Sequence, residues 1–285
     1  NVLLLAFGQK KMFRNPLVGV LHFLVYAGFV IINIEILEII LDGIFGTHRM
    51  FAESLGSFYT FVIDFFEVLA VLVAVSCAVF LIRRNIIRID RFTNGGLKGW
   101  PWKDANIILV TEIVLMVLFL TMNTTDRALQ LQGHAGYADH GNFLVSGLVA
   151  PALSDMPGST LVAIERSAWW LHIIGIFAFL NYLPYSKHLH IVLAFPNAYY
   201  KPLQPWGEMN NMPDVQKEVQ YVFQPETAPT ETSDVQPHFG ANDVFDLSWK
   251  NLLDAYTCTE CGRCTEVCPA HQTGKLLDPR KIMMD

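Results

Sequence analysis

The sequence predicts an all-α membrane protein, in which a bundle of about four transmembrane helices is followed by a small module that carries cysteines. Of its 285 residues, 52% are hydrophobic and only 16% are charged, and the mean hydropathy is +0.34. A soluble domain carries about 25% charged residues. Four apolar stretches are long enough to cross a bilayer, for which a helix needs about 20 residues. Four of the five cysteines fall within residues 258–268.

The apolar stretches define the expected spans and, with them, the domain organisation. Pro16 suits the first turn of the first span, and Pro184 is expected to kink the fourth. The expected spans run at about 17–41, 58–82, 105–122 and 168–194. The expected regions are an N-terminal cytoplasmic flank (1–16), a transmembrane domain (17–196), a linker (197–245) and the start of a domain that carries the cysteines (246–285).

Basic residues orient the bundle. One set of flanks carries Lys10, Lys11, Arg14, Arg83, Arg84, Arg88, Arg91, Lys98, Lys103, Lys187 and Lys201. The opposite flanks carry Arg49, Arg127 and Arg166. The positive-inside rule therefore predicts that the N-terminal flank and the C-terminal tail lie in the cytoplasm, with the bundle in the inner membrane of a prokaryote. The net charge of −6 offers no basic surface for nucleic acid, and membrane lipid is the expected surrounding.

The segments between and after the spans carry their own patterns. Residues 122–166 are expected to form an outside loop, whose apolar segment 142–153 is too short to span and lies on the membrane surface or re-enters it. The linker is rich in proline, glutamine and glutamate, which favours an extended chain. Apolar residues from Leu247 to Tyr256 predict a short amphipathic helix that leads into the cysteines.

The cysteine segment reads C-x2-C-x2-C-x3-C-P, from Cys258 through Cys261 and Cys264 to Cys268 and Pro269. This is the spacing of bacterial ferredoxins, in which cysteine thiolates hold a [4Fe–4S] cluster. Zinc sites instead show two cysteine pairs set well apart in sequence. We therefore expect the four cysteines to bind a [4Fe–4S] cluster.

The same spacing carries a second expectation. In two-cluster ferredoxins the fourth cysteine of such a run ligates the other cluster. Cys268 either closes this cluster or pairs with a second cysteine run. We expect a second run downstream, which gives two clusters in the intact protein.

Histidines within the predicted spans are candidates for haem ligation. His22 in the first span and His188 and His190 in the fourth are expected at similar depth, near the cytoplasmic interface. His22 with His190 is the best pair for one b-type haem, since two helices must each supply an imidazole. His172 is expected near the outer face, where it could ligate a second haem but has no evident partner. Hydrogen bonding or interfacial anchoring are the alternative roles of these histidines.

Two segments resemble a known family. Leu183-Pro-Tyr-Ser-Lys-His-Leu-His190 resembles the end of its haem-bearing helix, and Cys258–Pro269, preceded by Asp246-Leu-Ser-Trp-Lys-Asn-Leu-Leu-Asp, resembles the start of its ferredoxin-like domain. The family comprises membrane-bound iron–sulfur oxidoreductases related to the heterodisulfide reductase membrane subunit, to the membrane complex associated with sulfite reductase and to the nitrate reductase gamma subunit. The resemblance covers nearly the whole chain.

The resemblance implies quinone-linked electron transfer, with menaquinone or another quinone as substrate. It also implies a further N-terminal helix, downstream cysteine-rich regions, and a soluble redox partner such as electron-transfer flavoprotein or a thiol/disulfide protein, together with other complex subunits. Gamma-type relatives carry a second histidine about three turns beyond the first, where this chain has Ile32 and Asn33. This difference puts the outer haem, and a ligand role for His172, in doubt.

Acidic residues in the outer halves of the spans have two interpretations. Glu35, Glu38 and Asp42 share a face of the first span, and Asp64 and Glu67 lie at comparable depth in the second. Because carboxylates in hydrocarbon are costly, they are expected to face a cavity or one another. They form either a cleft that serves quinone protonation or hydrogen bonds between helices.

The residues thus favour a membrane electron-transfer subunit that links a quinone, haem b and a [4Fe–4S] cluster. The alternatives are a membrane assembly or redox-sensing protein whose cluster is structural and which lacks haem, and a zinc-binding scaffold.

Overall fold

The computed structural model describes residues 2–93, 95–205, 207–208, 211–228 and 240–284. Within these ranges the protein contains helices and turns and no β-strand. Its helices of nine residues or more are α1 (Pro16–Ile32), α2 (Glu35–Phe45), α3 (Ser57–Asn85), α4 (Trp100–Leu131), α5 (Gly158–Tyr182), α6 (His190–Tyr199), α7 (Pro213–Phe223) and α8 (Trp249–Thr257).

Four helical segments are long and apolar enough to cross a membrane, which confirms the predicted fold class. They are Pro16–Phe45, formed by α1 and α2 together, then Ser57–Asn85, Trp100–Leu131 and Gly158–Tyr185. Helix α4 packs against both α3 and α5, and α1 packs against α3. Consecutive spans run in opposite directions. We call the end where α1 and α4 begin the cysteine end, and the end where α3 and α5 begin the opposite end.

The first span is interrupted in the middle of the membrane. Asn15 caps α1 by accepting a hydrogen bond from the Val18 amide at 3.3 Å, and Pro16 occupies the first turn. Helix α1 ends at Ile32, and α2 begins at Glu35, after the two residues Asn33 and Ile34. The side-chain amide of Asn33 donates to the Phe29 carbonyl, so it satisfies one of the carbonyls that the break frees.

Small and apolar residues fill the core of the bundle. A Cβ at Gly28 would lie 2.2 Å from a methyl group of Val73, so glycine allows α1 to approach α3 closely. Ile63, Phe119 and Cys77 are fully buried in the same core. Cys77 is therefore a packing residue, as its apolar surroundings in the sequence indicate.

The fourth span differs from the prediction. Helix α5 begins ten residues earlier than expected and ends at Tyr182. Pro184 lies in the single turn Leu183–Tyr185 and ends the helix instead of kinking it. A second turn, Lys187–Leu189, leads into α6. His190 thus opens a separate helix, and the expectation that it shares one continuous helix with His172 is wrong.

The connection between the third and fourth spans is shorter than predicted, because α4 extends to Leu131 and α5 starts at Gly158. The apolar segment predicted to lie on or in the membrane surface forms the short helices Ser146–Val149 and Ala150–Leu153. Both pack against α4, so the segment closes the opposite end of the bundle.

After the spans, α7 lies within the region predicted to be an extended linker, and Pro213 occupies its first turn. Residues 229–239 of that region lie outside the described residues. Helix α8 confirms the predicted amphipathic helix, and its N-cap Ser248 accepts a hydrogen bond from the Asn251 amide. Helix α8 packs against α6, which brings the cysteine segment to the bundle.

Candidate cofactor site at the cysteine end

The His22 ring lies in α1, close to the cysteine end. Its Nδ1 is 2.9 Å from the side-chain oxygen of Gln9, a buried residue of the segment that precedes α1. If Nδ1 carries the proton, it donates to Gln9, and Nε2 is then the nitrogen that a metal would use. His22 lies close enough to His190 for their charges to interact.

The His190 ring is fixed in the same manner. Its Nδ1 is 2.9 Å from the carbonyl oxygen of Lys187, and its ring centroid is 5.9 Å from that of His188. Burial lowers the pKa of His190 below its ordinary value and lowers the pKa of His188 to about 4. Both imidazoles are therefore neutral near pH 7, the state in which they ligate metals.

His188 is the more buried ring of the two. It is 7% exposed, and its Nε2 has no hydrogen-bond partner among the described residues. The Glu112 carboxylate lies 4.0 Å from that nitrogen, and the Phe29 and Phe179 rings pack around the imidazole. The structure thus gathers His22, His188 and His190 at one end of the bundle, as the sequence predicted.

The sequence predicted that His172 lies near the outer face of the membrane, and this prediction is wrong. The structure places His172 in the middle of α5. Its Nδ1 is 3.0 Å from the Leu115 carbonyl of α4, and it is 3% exposed. It lines a cavity of about 50 Å³ that is also bordered by Ile32 and Asn33. Ile32 and Asn33, which stand where the resemblance leads one to expect a second histidine, thus line the same cavity as His172.

The cysteine segment forms a loop and a short helical turn. Gly262 adopts φ +74°, a left-handed conformation that glycine permits and that turns the chain between the second and third cysteines. The Glu260 amide lies 3.4 Å from the Cys258 sulfur. Burial raises the pKa of the Cys258 thiol. Amides directed at sulfur and partial burial are features of iron–sulfur sites.

This loop docks against the connection between α3 and α4. A Cβ at Gly262 would meet the Leu97 side chain at 3.0 Å and the Arg91 carbonyl oxygen at 3.2 Å, so the backbones are in close contact. Arg263 lies 3.6 Å from the Met12 sulfur, near the start of α1. The cysteines therefore lie at the bundle end that also holds His22 and His190.

Arg280 is the central residue of this docking contact. It is 5% exposed and donates to the Glu260 carboxylate at 2.7 Å and to the Gly96 carbonyl at 2.8 Å. Glu260 is also 4.0 Å from the Lys187 ammonium, on the histidine segment. One arginine thus joins the cysteine loop, the C-terminal segment and the α3–α4 connection.

The donor atoms fit the two expected cofactors. His22 and His190 each use Nδ1 within the protein, which suits haem ligation through Nε2. Among the described residues, no three His, Cys, Asp or Glu side chains converge at the spacing of a single-ion site. The ligands of an iron–sulfur cubane stand farther apart than those of one ion, and four thiols in eleven residues suit the cubane.

Asp104 was not anticipated from the sequence, although it positions the histidine segment. It is 1% exposed and accepts hydrogen bonds from the Tyr182 hydroxyl at 2.5 Å, the Ser186 hydroxyl at 2.7 Å and the Lys187 amide at 3.0 Å. These contacts end α5 and direct the chain into α6. The sequence did offer one signal for this role, because Asp104 is an acidic residue directly before the predicted start of the third span.

Most acids at the opposite end have structural partners. Glu67 accepts from the Val145 and Ser146 amides at 2.8 and 3.1 Å, and Glu38 accepts from the Tyr59 hydroxyl at 2.7 Å. Asp64 accepts from the Leu144 amide at 2.7 Å. For these acids, hydrogen bonding within the bundle is the interpretation that the contacts favour.

Comparison with known proteins connects this site to a function. The 4Fe–4S binding domain family matches residues 249–270, a range that contains all four cysteines of the run. A probable iron–sulfur-binding oxidoreductase, FadF, of Bacillus subtilis is 27% identical over 98% of this chain. An EtfAB:quinone oxidoreductase of Syntrophomonas wolfei is 26% identical over 96% of it. These relatives confirm the predicted resemblance to iron–sulfur oxidoreductases.

The shared region is one part of these relatives. The chain spans 35% of the length of each of the two oxidoreductases. A probable membrane-anchored ferredoxin of Chromohalobacter salexigens is 38% identical over 52 residues, which cover 18% of this chain and 8% of that protein. No solved structure is significantly similar to this chain.

Proposed function

We propose that this protein transfers electrons between a quinone in the membrane and a soluble redox partner at the cysteine end. The four cysteines Cys258, Cys261, Cys264 and Cys268 would hold a [4Fe–4S] cluster, and His22 and His190 would hold a b-type haem. The single observation that carries the proposal is the docking of the cysteine loop at the bundle end where these two histidines lie. The two groups would supply one-electron chemistry at and within the membrane boundary.

The protein's own residues would set the conditions for this transfer. Gln9 and the Lys187 carbonyl orient the two imidazoles, and Asp104 fixes the segment from which His190 emerges. Arg280 and Lys187 place positive charge beside Glu260 in the cysteine loop. Positive charge next to a cluster of thiolates stabilises its reduced form, which tunes the potential.

The relatives support the choice of reactants. The name of the Syntrophomonas wolfei relative couples EtfAB to a quinone. We propose a quinone, such as menaquinone, as the membrane reactant and an electron-transfer flavoprotein as the soluble one. A protein with a thiol or disulfide is the other soluble partner that the resemblance implies.

The charge bias of the flanks supports a location in the cytoplasmic membrane, with the cysteine end in the cytoplasm. Basic residues such as Arg84, Lys98 and Lys187 gather at the cysteine end. A cytoplasmic position would also keep the thiols in a reducing compartment.

Absorption and metal content of the purified full-length protein test the proposal. We expect about four iron atoms for the cysteine run, together with sharp b-type bands in a reduced-minus-oxidised spectrum that respond to a quinol. Broad iron–sulfur absorbance without b-type bands would contradict the haem and favour a structural or sensing cluster. Zinc with no visible absorbance would contradict both cofactors.

A further inference from the structure

Two small cavities lie within the bundle, and Glu35 lines both. The first, of about 50 Å³, lies at the centre of the bundle beside Glu112 and His172. The second, of about 20 Å³, lies towards the opposite end beside His48 and Asp126. Since a buried water needs roughly 10–15 Å³ of such volume, the cavities have room for about three waters and one.

Glu35 differs from two other buried acids of the bundle, Glu38 and Glu67. It is 6% exposed, and its Oε2 has no hydrogen-bond partner among the described residues. Glu38, on the same face of α2, is held by the Tyr59 hydroxyl and the Phe51 amide. Glu67 of α3 is held by three donors. A buried polar atom without a protein partner requires another explanation, and water in the adjoining cavities supplies it.

The second cavity leads towards solvent. His48 borders it and keeps 20% of its side chain exposed. Asp42, which also borders it, is half-buried. The polar groups of the second cavity can therefore form hydrogen bonds with water between Glu35 and the partly exposed His48.

We propose that Glu35 relays protons along a hydrated route between the centre of the bundle and the opposite end. The inference rests on the proposed function, because quinone chemistry supplies the protons. Oxidation of one quinol to a quinone releases two electrons and two protons, and quinone reduction consumes the same numbers. The electrons are exchanged with the soluble flavin carrier at the cysteine end, and the protons are exchanged with the opposite aqueous phase through Glu35. The protein would thereby separate charge across the membrane.

Glu35→Gln tests the relay because it keeps the shape of the side chain and removes the acid. Since Oε2 has no protein partner to lose, we expect the variant to fold with unchanged haem and cluster spectra. Glu35→Asp retains a carboxyl group and is expected to keep partial function. Glu53→Gln removes an exposed acid near the start of α3 and serves as the matched control.

The measurement uses the full-length protein in vesicles that contain a menaquinone analogue in the bilayer and a pH-sensitive dye in the lumen. Photoreduced FMN, added outside, delivers electrons to molecules whose cysteine end faces outwards. We expect the lumen of wild-type vesicles to become alkaline, with one lumenal proton consumed per electron. Glu35→Gln is expected to lower both quinone reduction and lumenal proton uptake by at least about tenfold, in the range of a lost general acid.

The outcomes separate this inference from the proposed function. Quinone reduction by the wild type with protons drawn from the outside would overturn the proton route alone. Full turnover with unchanged lumenal uptake in Glu35→Gln would do the same. No quinone reduction by the wild type, with cofactors present, would overturn the proposed function and the proton route with it.

Discussion

At the opposite end of the bundle, the buried Arg49 is surrounded by protein acceptors, whereas at the cysteine end His22 and His190 each bind the protein through one nitrogen. Arg49 donates to Asp126, to the Asn123 side chain at 2.9 Å and to the Tyr59 hydroxyl at 3.1 Å. Burial alone would lower the pKa of Arg49, but the charge of Asp126 outweighs it and holds that pKa well above its ordinary value.

The difference separates two uses of polar residues inside a membrane protein. A saturated network such as that of Arg49 locks helices together, because each group has a partner to lose. Imidazoles with one engaged nitrogen keep the other for a ligand. The degree of hydrogen-bond saturation therefore separates polar groups that lock helices together from groups that keep an atom free for a ligand, and the following predictions test which of the free groups are used.

The largest effect is expected from the cysteines. Cys261→Ser should remove the cluster, with loss of iron and of its electron paramagnetic resonance signal, because a serine oxygen is a poor replacement for a thiolate ligand. Cys77→Ser is the matched control, since Cys77 is buried in the bundle core. Iron content that survives Cys261→Ser would contradict the ligand assignment.

Loss of haem is the next largest effect. His190→Ala and His22→Ala should each abolish the b-type bands. His172→Ala should retain them, because the residues that face His172 across its cavity, Ile32 and Asn33, supply no second imidazole. Difference spectra of the purified variants measure this. Bands that survive in His22→Ala but vanish in His188→Ala would assign the ligand pair differently.

A substitution at the opposite end of the bundle should lower the stability of the protein. Arg49→Met leaves the Asp126 carboxylate buried without its main partner, which is expected to destabilise the protein by about 3–5 kcal/mol. Thermal unfolding in detergent measures the change, and the haem spectrum of the folded fraction should stay the same. Lys217→Gln is the control, because the Lys217–Asp214 pair is exposed and contributes little.

The smallest expected effect concerns the docking contact. Arg280→Gln removes a charged hydrogen bond to Glu260, which is worth about 1.5–3 kcal/mol. Limited proteolysis should then cleave the segment after α8 faster than in the exposed control Lys275→Gln, while helices α1–α5 stay protected. Equal cleavage rates in the two variants would show that Arg280 does not hold the module in place.

The sequence predicted the local patterns well and the long-range contacts poorly. The four spans follow from the apolar composition of four stretches. The cysteine loop follows from the spacing of four cysteines within eleven residues. Both signals are local in the sequence and do not depend on distant contacts. Pro184 allowed either a kink or a helix end, and the choice depends on Asp104, some 80 residues earlier in the chain. The role of Glu67 likewise depends on amides that lie 78 and 79 residues away.

Helix α6 carries a consequence for how the two cofactor regions respond to each other. His190 is its first residue, while Asn197 near its end accepts a hydrogen bond from Lys250 of α8, and Tyr200 packs on the Trp249 ring at 4.9 Å. A helix of ten residues is about 15 Å long, so α6 connects the two regions across that distance. If α6 moves when a soluble carrier binds the cysteine module, the His190 imidazole moves with it. With the proposed haem bound, carrier binding should therefore shift the haem spectrum before any electron moves.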